Sequence, residues 1–462
     1  MKKLITLIIV SGGLFSSVFA QDLPGSQVSG SFQTDVQYLF PDSVIGAADV
    51  PEKVRSNSYL QLNWQSGPLS AAVRYEAYLN PLLGFDPRYQ GLGISYRSFT
   101  YRKDRIEITA GNFYDQFGNG IIFRSYQEWA LGIDNSVDGV RIQFKPVNGL
   151  IVKGLIGKQR RFFDRSKGLV RGADAEFSFN DAIASFRDRK TRLSLGASVV
   201  SRYEADDDPR LSLPENVSAF ATRMRLSAGN LSVDAEFASK INDPFQLNKY
   251  VYNSGNAFYL NAVYTYKRFG FVFSGKRIDN FDFRSERRVT LQESTLSFLP
   301  AISKLHTYRL PTLYPYATQL NGEVGFQAAL VYSVAKNTPL GGKYGTQINL
   351  NYSRIHGLDT VFTEPGFRYT SSLIGDVNKL YFQDVNVDIN HKWNTRLRTI
   401  FTYIWLRYNM DVIQFGTLTG GYGIVNSHSA IAEIQYRLAK KVAFRCEFQH
   451  MYTRQDMGSW AM

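Results

Sequence analysis

Apolar and polar residues alternate along almost the whole chain, and few folds can accommodate such a pattern. In 346–353, Thr346, Ile348, Leu350 and Tyr352 alternate with Gln347, Asn349, Asn351 and Ser353. In 323–334, Val324, Phe326, Ala328, Leu330, Tyr332 and Val334 share one parity. In 69–80, Leu69, Ala71, Val73, Tyr75, Ala77 and Leu79 oppose a set containing Arg74 and Glu76. In 231–240, Leu231, Val233, Ala235 and Phe237 oppose Asp234, Glu236 and Lys240, and in 442–452 Val442, Phe444, Cys446 and Phe448 oppose Arg445, Glu447 and Gln449. Successive side chains of a strand point to opposite faces, so a period of two means strands with one apolar and one polar face.

Short turns punctuate these strands near Gly67, Asp104, Asn148-Gly149, Arg187 to Lys190, Gly229-Asn230, Gly270, Asn337 to Pro339, Asn394 and Lys440. Asn-Gly is the strongest two-residue hairpin signal among them. Most neighbouring turns lie about 36 to 46 residues apart, room for two strands of about ten residues and one longer loop. The segments between turns, such as 40–56, 81–90, 204–216, 280–320 and 356–378, are irregular and richer in Pro, Asp and Gly. Short turns alternating with long loops predict an all-β fold: a transmembrane antiparallel up-and-down β-barrel of about 18 to 20 strands, with short periplasmic turns and long extracellular loops. Nine hairpins and a first strand at 30–39 make 19 strands. A barrel that starts in the periplasm needs an even number to return there, so "GSWAM" is read as the start of a strand and the C-terminus as incomplete. A soluble sandwich of this length would split into domains, and no linker or composition shift is visible. A β-helix would show a short fixed repeat, and none is found.

The chain opens MKKLITLIIVSGGLFSSVFAQ. Lys2 and Lys3, an apolar run from Leu4 to Val10, and small residues before Gln21 predict a secretory signal peptide over 1–20, with 21–462 as the barrel. The formal net charge is +13, and losing Lys2 and Lys3 leaves +11. No Lys/Arg-rich run stands out and an exported chain rarely meets nucleic acid, so outer-membrane lipid headgroups or a small polar or anionic solute are the expected partners, and nucleic acid is not. Cys446 is the only cysteine, which excludes an intrachain disulfide. Aromatics make up 14% of the residues, an excess that interfacial girdles of a membrane barrel would account for.

The stretch 111–140, GNFYDQFGNGIIFRSYQEWALGIDNSVDGV, joins strands expected at 105–113 and 136–145. It is too aromatic and too mixed in charge to stay wholly in water. Folded into the lumen it would bury Phe117, Tyr126 and Trp129 and set Arg124, Glu128, Asp134 and Asp138 against lumen charges. Parity puts Arg105, Glu107 and Thr109 of the first strand, and Arg141, Gln143 and Lys145 of the second, on the inner face. The candidate lumen or constriction residues are therefore Arg105, Glu107, Arg124, Tyr126, Glu128, Trp129, Asp134, Asp138 and Arg141. The loop either braces the barrel or narrows a pore. Segment 280–320, with Arg284, Arg287 and Arg288 and the run YPYATQ, is read as a cover over the barrel mouth, a second constriction or a partner-binding surface.

Enzyme signals are thin, and no enzyme, cofactor or metal is expected. His306, His356, His391, His428 and His450 lack metal-site spacing. Ser427 and His428 are adjacent on a strand and so point to opposite faces, which rules out a dyad by adjacency. Only residues 21–29 separate the signal from the first strand, too few for the plug domain of an energised importer. The triplets Asp42-Ser43-Val44 and Asp359-Thr360-Val361 fit a short O-glycosylation pattern that is common by chance.

The stretches GNFYDQFGNGIIFRSYQEWALGIDNSVDGVRI, LPAISKLHTYRLPTLYPYATQLNGEVGFQ and YGTQINLNYS resemble an outer-membrane barrel family of the Bacteroidota lineage that has no assigned activity. The resemblance spans most of the mature chain. It implies the fold and the outer-membrane location, supplies no catalytic residues, and implies a longer C-terminus. Two functions of different class remain: a porin-like passive channel or transporter for small polar solutes with loop 111–140 folded inward, and a non-catalytic barrel subunit of an envelope assembly, secretion or surface-attachment complex.

Overall fold

The computed structural model describes residues 25–44, 46–47, 49–289, 293–364, 368–416 and 421–456. The signal peptide expected over 1–20 and the GSWAM segment at 458–462 lie outside the described residues. The fold is all-β, and among the described residues 19 strands form one sheet and two small hairpins are carried on loops. The expected strand number, 18 to 20, is met. The first strand is Ser26–Tyr38 and the last Val442–Asp456. Strands of the sheet pair with the sheet strand that comes next in the chain, and they do so antiparallel.

Connections alternate as expected. At one end most are short, 67–68, 104–105, 229–230, 267–268, 393–396 and 440–441, but the short turns expected at Arg187 to Lys190 and Asn337 to Pro339 lie within the longer connections 179–190 and 335–345. At the other end they are long, among them 39–53, 114–136, 280–321 and 357–379. Asp104 and Gly229 hold φ of 51° and 58°, the left-handed backbone that a two-residue hairpin turn needs. The Asn148-Gly149 pair is not itself a two-residue turn; it ends the connection 145–149. One long-loop position is closed instead by the tight turn Phe162-Phe163, with Phe162 at φ 56°.

The sheet has its polarity inverted relative to a water-soluble protein. Leu62, Val73, Ile94, Phe99, Ile142 and Phe144 are exposed on one face, while Asn57, Arg74, Glu76, Thr109 and Gln159 are buried on the other. Further along, Phe237, Phe258, Leu350, Ile389, Phe401 and Ile434 are exposed, while Glu236, Lys276, Glu323, Asn351, Asp384 and Glu433 are buried. Such a surface is stable only against hydrocarbon. A strand-built sheet of this polarity is a transmembrane-barrel sheet, and the membrane that houses it is the outer membrane.

The chain divides into two compact units: residues 1–176, 198–218 and 283–298, and residues 177–197, 219–282 and 299–462. In the first, the buried face is overlaid by segments 114–136, 283–289 and 293–298. In the second, Ile302, Tyr308, Tyr314 and Tyr316 cover Ile355, Phe382, Ile404, Leu406 and Tyr408 near the long-loop ends of their strands. The segment 280–320, for which a cover, a second constriction and a partner-binding surface are all open from the sequence, therefore contributes a separate layer to each unit.

Candidate functional site

The site is built on Leu69–Leu79, whose even residues turn to the buried face. Arg74 donates from Nε to Glu76 Oε1 at 2.7 Å. Arg160, near the end of Leu150–Arg161, reaches Glu76 Oε2 at 2.7 Å and Asp134 Oδ2 at 2.6 Å. Asp134 also accepts from Arg74. Gln127 Oε1 accepts from Arg74 Nη1 at 2.9 Å, and the Tyr114 hydroxyl donates to Asp134 Oδ1 at 3.0 Å. Burial, with the Asp134 carboxylate beside it, pushes the Tyr114 hydroxyl above its ordinary range, so it remains a donor. Two guanidinium groups thus meet two carboxylates, one of which arrives on the loop. The cluster is charge-balanced and buried, with each ion paired, the condition under which buried ions are tolerated.

A second ionic layer lies nearer the short-turn end. Arg141 contacts Glu107, and Asp115 accepts from Lys153 at 2.7 Å and from Arg141 at 3.5 Å. The two loop acids that enter these layers, Asp115 and Asp134, are therefore neutralised by bases of the sheet.

The loop has a folded core of its own. Phe117, Ile121, Ile122 and Phe123 are fully or almost fully buried, and Ser125 donates its backbone N–H to Asp115 O at 2.8 Å. Gln127–Glu128 and Ile133–Asp134 form the small hairpin that presents Asp134. Segment 283–298 locks it from the other side: Arg124 N donates to Leu296 O at 2.8 Å and Phe298 N to Gly120 O at 2.9 Å. The Arg124 guanidinium lies over the Phe298 and Tyr126 rings at 3.8 and 4.5 Å. Below, strand Asp164–Ser178 leaves room by lacking side chains. A Cβ on Gly168 would fall 1.9 Å from Ser285 O, and one on Gly172 would fall 2.9 Å from the Phe117 ring.

The candidate residues named from the sequence separate into four groups. Asp134, Glu107 and Arg141 are in the ionic layers, and Arg124 and Tyr126 are in the loop packing. Trp129 is 39% exposed, its ring against Tyr59 at 4.0 Å and beneath Arg74, while Glu128 beside it is exposed. Arg105 and Asp138 are not in the cluster. Arg105 belongs to the turn 104–105, where it donates to Pro146 O at 2.7 Å. Asp138 has the parity of the exposed residues Val140 and Ile142, and it pairs with Arg97 at 3.5 Å and with Arg165 on the outer face. Arg160, Tyr114, Gln127, Asp115 and Lys153 belong to the site although sequence reasoning did not name them as candidates. The available signal was that Glu76 and Arg74, on one face of one strand, need further partners if buried.

Beside the cluster a cavity of about 220 Å³ is lined by Asp86, Tyr89, Asp134, Arg160 and Glu293 among others. Its walls carry both signs of charge. Ser427 is fully buried, whereas His428 faces the other way and meets the Tyr403 hydroxyl at 2.8 Å, as strand alternation requires. Among the described residues no group of three His, Cys, Asp or Glu side chains is placed to hold a metal.

Solved structures similar to this chain include the outer membrane protein OprD from Pseudomonas aeruginosa, at 13% identity and TM-score 0.36, covering 94% of this chain and 93% of that one. The outer membrane protein OpdK from the same organism matches at 11% identity and TM-score 0.39, covering 93% and 98%. A BenF-like porin from Pseudomonas fluorescens matches at 11% identity and TM-score 0.37, again covering 93% and 98%. No curated protein matches the sequence. The model of a family of unknown function, DUF6029, matches residues 1–462, and the chain belongs to that family.

Proposed function

We propose that the protein is a passive outer-membrane channel for small polar solutes, in which the loop 114–136 is a fixed constriction rather than a moving gate. The observation that carries this reading is the pairing of loop Asp134 with sheet residues Arg74 and Arg160 on a buried polar face. A barrel that only anchored the chain would have no need of a polar inner face with mixed charge. Glu107, Arg141 and Asp134, with the rings of Tyr126 and Trp129, are the residues assigned to the constriction wall. Mixed signs of charge there favour neutral or weakly charged solutes over strong ion selectivity at that level. No catalytic group is assigned.

The competing function, a barrel subunit of an envelope complex, draws on the apolar packing under segments 283–298 and 299–316. The two are separated by solute flux. Liposomes containing the full chain should swell in isotonic small sugars or amino acids, and more slowly as solute size rises. Absence of swelling with every small solute, from correctly folded and inserted protein, would overturn the channel reading and leave the subunit reading.

A further inference from the structure

The polar face of the second unit changes character towards the short turns. There a cavity of about 830 Å³ is lined by six basic residues, Arg268, Lys336, Lys392, Arg396, Arg398 and Arg437, and by no Asp or Glu. The rest of its wall mixes amides and hydroxyls with the rings of Tyr344 and Tyr436 and the aliphatic side chains of Val334, Leu397 and Ala443. Lys392, Arg398 and Arg437 come from three consecutive paired strands, Leu380–Lys392, Leu397–Asn409 and Ile424–Ala439. They share the parity of the buried residues Asp384, Thr402 and Glu433 on those strands, so they face the polar side.

The acids nearest along these strands are already compensated. Asp388 is met by Lys304, and Glu433 and Glu447 share Arg445 at 2.7 Å each. None of the six cavity bases has an ion-pair partner among the described residues. Asn390 accepts from Arg398 Nε at 2.7 Å, which fixes the guanidinium and leaves its terminal nitrogens available. The Lys392 ammonium lies 5.8 Å from the centre of the Tyr344 ring. The chain's formal charge of +13 thus has a local concentration.

We propose that this cavity is a binding vestibule for small multivalent anions bearing carboxylate or phosphate groups. Several uncompensated bases in a concave wall focus the field and raise the local concentration of anions, by roughly 10-fold to 1,000-fold in on-rate for steered ligands. Guanidinium pairs suit the planar, two-oxygen faces of carboxylates and phosphates. The cavity is wide enough for an organic anion of several carboxylates. The assignment rests on the channel reading only for the fate of the bound anion, which at the short-turn end is a solute entering or leaving.

The test uses the full chain in detergent and in bilayers, with citrate and pyrophosphate as probes and glucose as the neutral control. Titration calorimetry should register both anions and not glucose. The triple variant Lys392→Gln, Arg398→Gln, Arg437→Gln should weaken anion binding by more than about tenfold. An equal charge removal outside the cavity, Lys103→Gln, Arg187→Gln, Lys190→Gln, should not. In a salt gradient across a planar bilayer, the reversal potential should show anion preference in the parent and move towards zero in the cavity variant alone. Anion binding that is lost in the cavity variant, with no conductance in the parent, would sink the channel and keep the vestibule. Conductance with no anion binding, or with binding equally reduced by both variants, would overturn the vestibule and keep the channel.

Discussion

At the level of single residues the site is decided by charge pairing and by missing side chains. Loop residue Asp134 touches both Arg74 and Arg160. In Asp134→Asn two guanidinium groups would share Glu76 alone. Breaking a buried pair costs about 3–5 kcal/mol, so the variant should unfold at clearly lower denaturant concentration and its loop should become open to protease. Unchanged protease resistance of residues 114–136 would show that the ion cluster does not hold the loop. Gly172 is the steric counterpart. Gly172→Val should push Phe117 out of its seat, whereas Gly154→Ala, where nothing lies within 4 Å of the added carbon, should be tolerated. Equal effects of both on loop protease resistance would refute docking through the glycine. Strand parity accounts for much of the residue-level pattern. It places Glu107 and Arg141 inside, and along the same strand it sets Asp138 outside, where Arg97 and Arg165 meet it. Arg105 escapes parity because it sits at a strand boundary: with Asp104 at φ 51°, position 105 completes the turn.

At the level of elements, strands were readable because period two survives any detail of packing. Leu231–Lys240 begins and ends where alternation begins and ends. The docking of loops was not readable, because it depends on pairs far apart in the chain. Arg124 is held by Leu296, and Gln159 donates from its side chain to Thr295 O at 2.7 Å. Nothing local to 114–136 announces those partners. A consequence for dynamics belongs to this level. Backbone amides of Phe117, Arg124 and Ser125 are bonded within the docked loops, at 3.1, 2.8 and 2.8 Å. Their hydrogen exchange should be slow, closer to that of the strands than to that of a solvated loop. Exchange within seconds at these three amides would mean that the loop opens freely and acts as a gate.

For the molecule as a whole, an inverted sheet turns sequence into location. Phe237, Phe401 and Ile434 face outward where a soluble protein would place charge, and Glu236, Asp384 and Glu433 are buried where it would place a core. That polarity was legible from alternation together with the succession of short turns and long loops and the aromatic excess. The position of the charge surplus was not legible, because it depends on which strands bring their basic ends together around one cavity.

Constriction and plug are told apart by single-channel conductance of the full chain in a planar bilayer, compared with a variant lacking residues 116–132. Steady conductance is expected in the parent and a larger conductance in the variant, since a fixed constriction has been removed. A parent that is electrically silent, with current appearing only after the deletion, would make the loop a plug and contradict the channel.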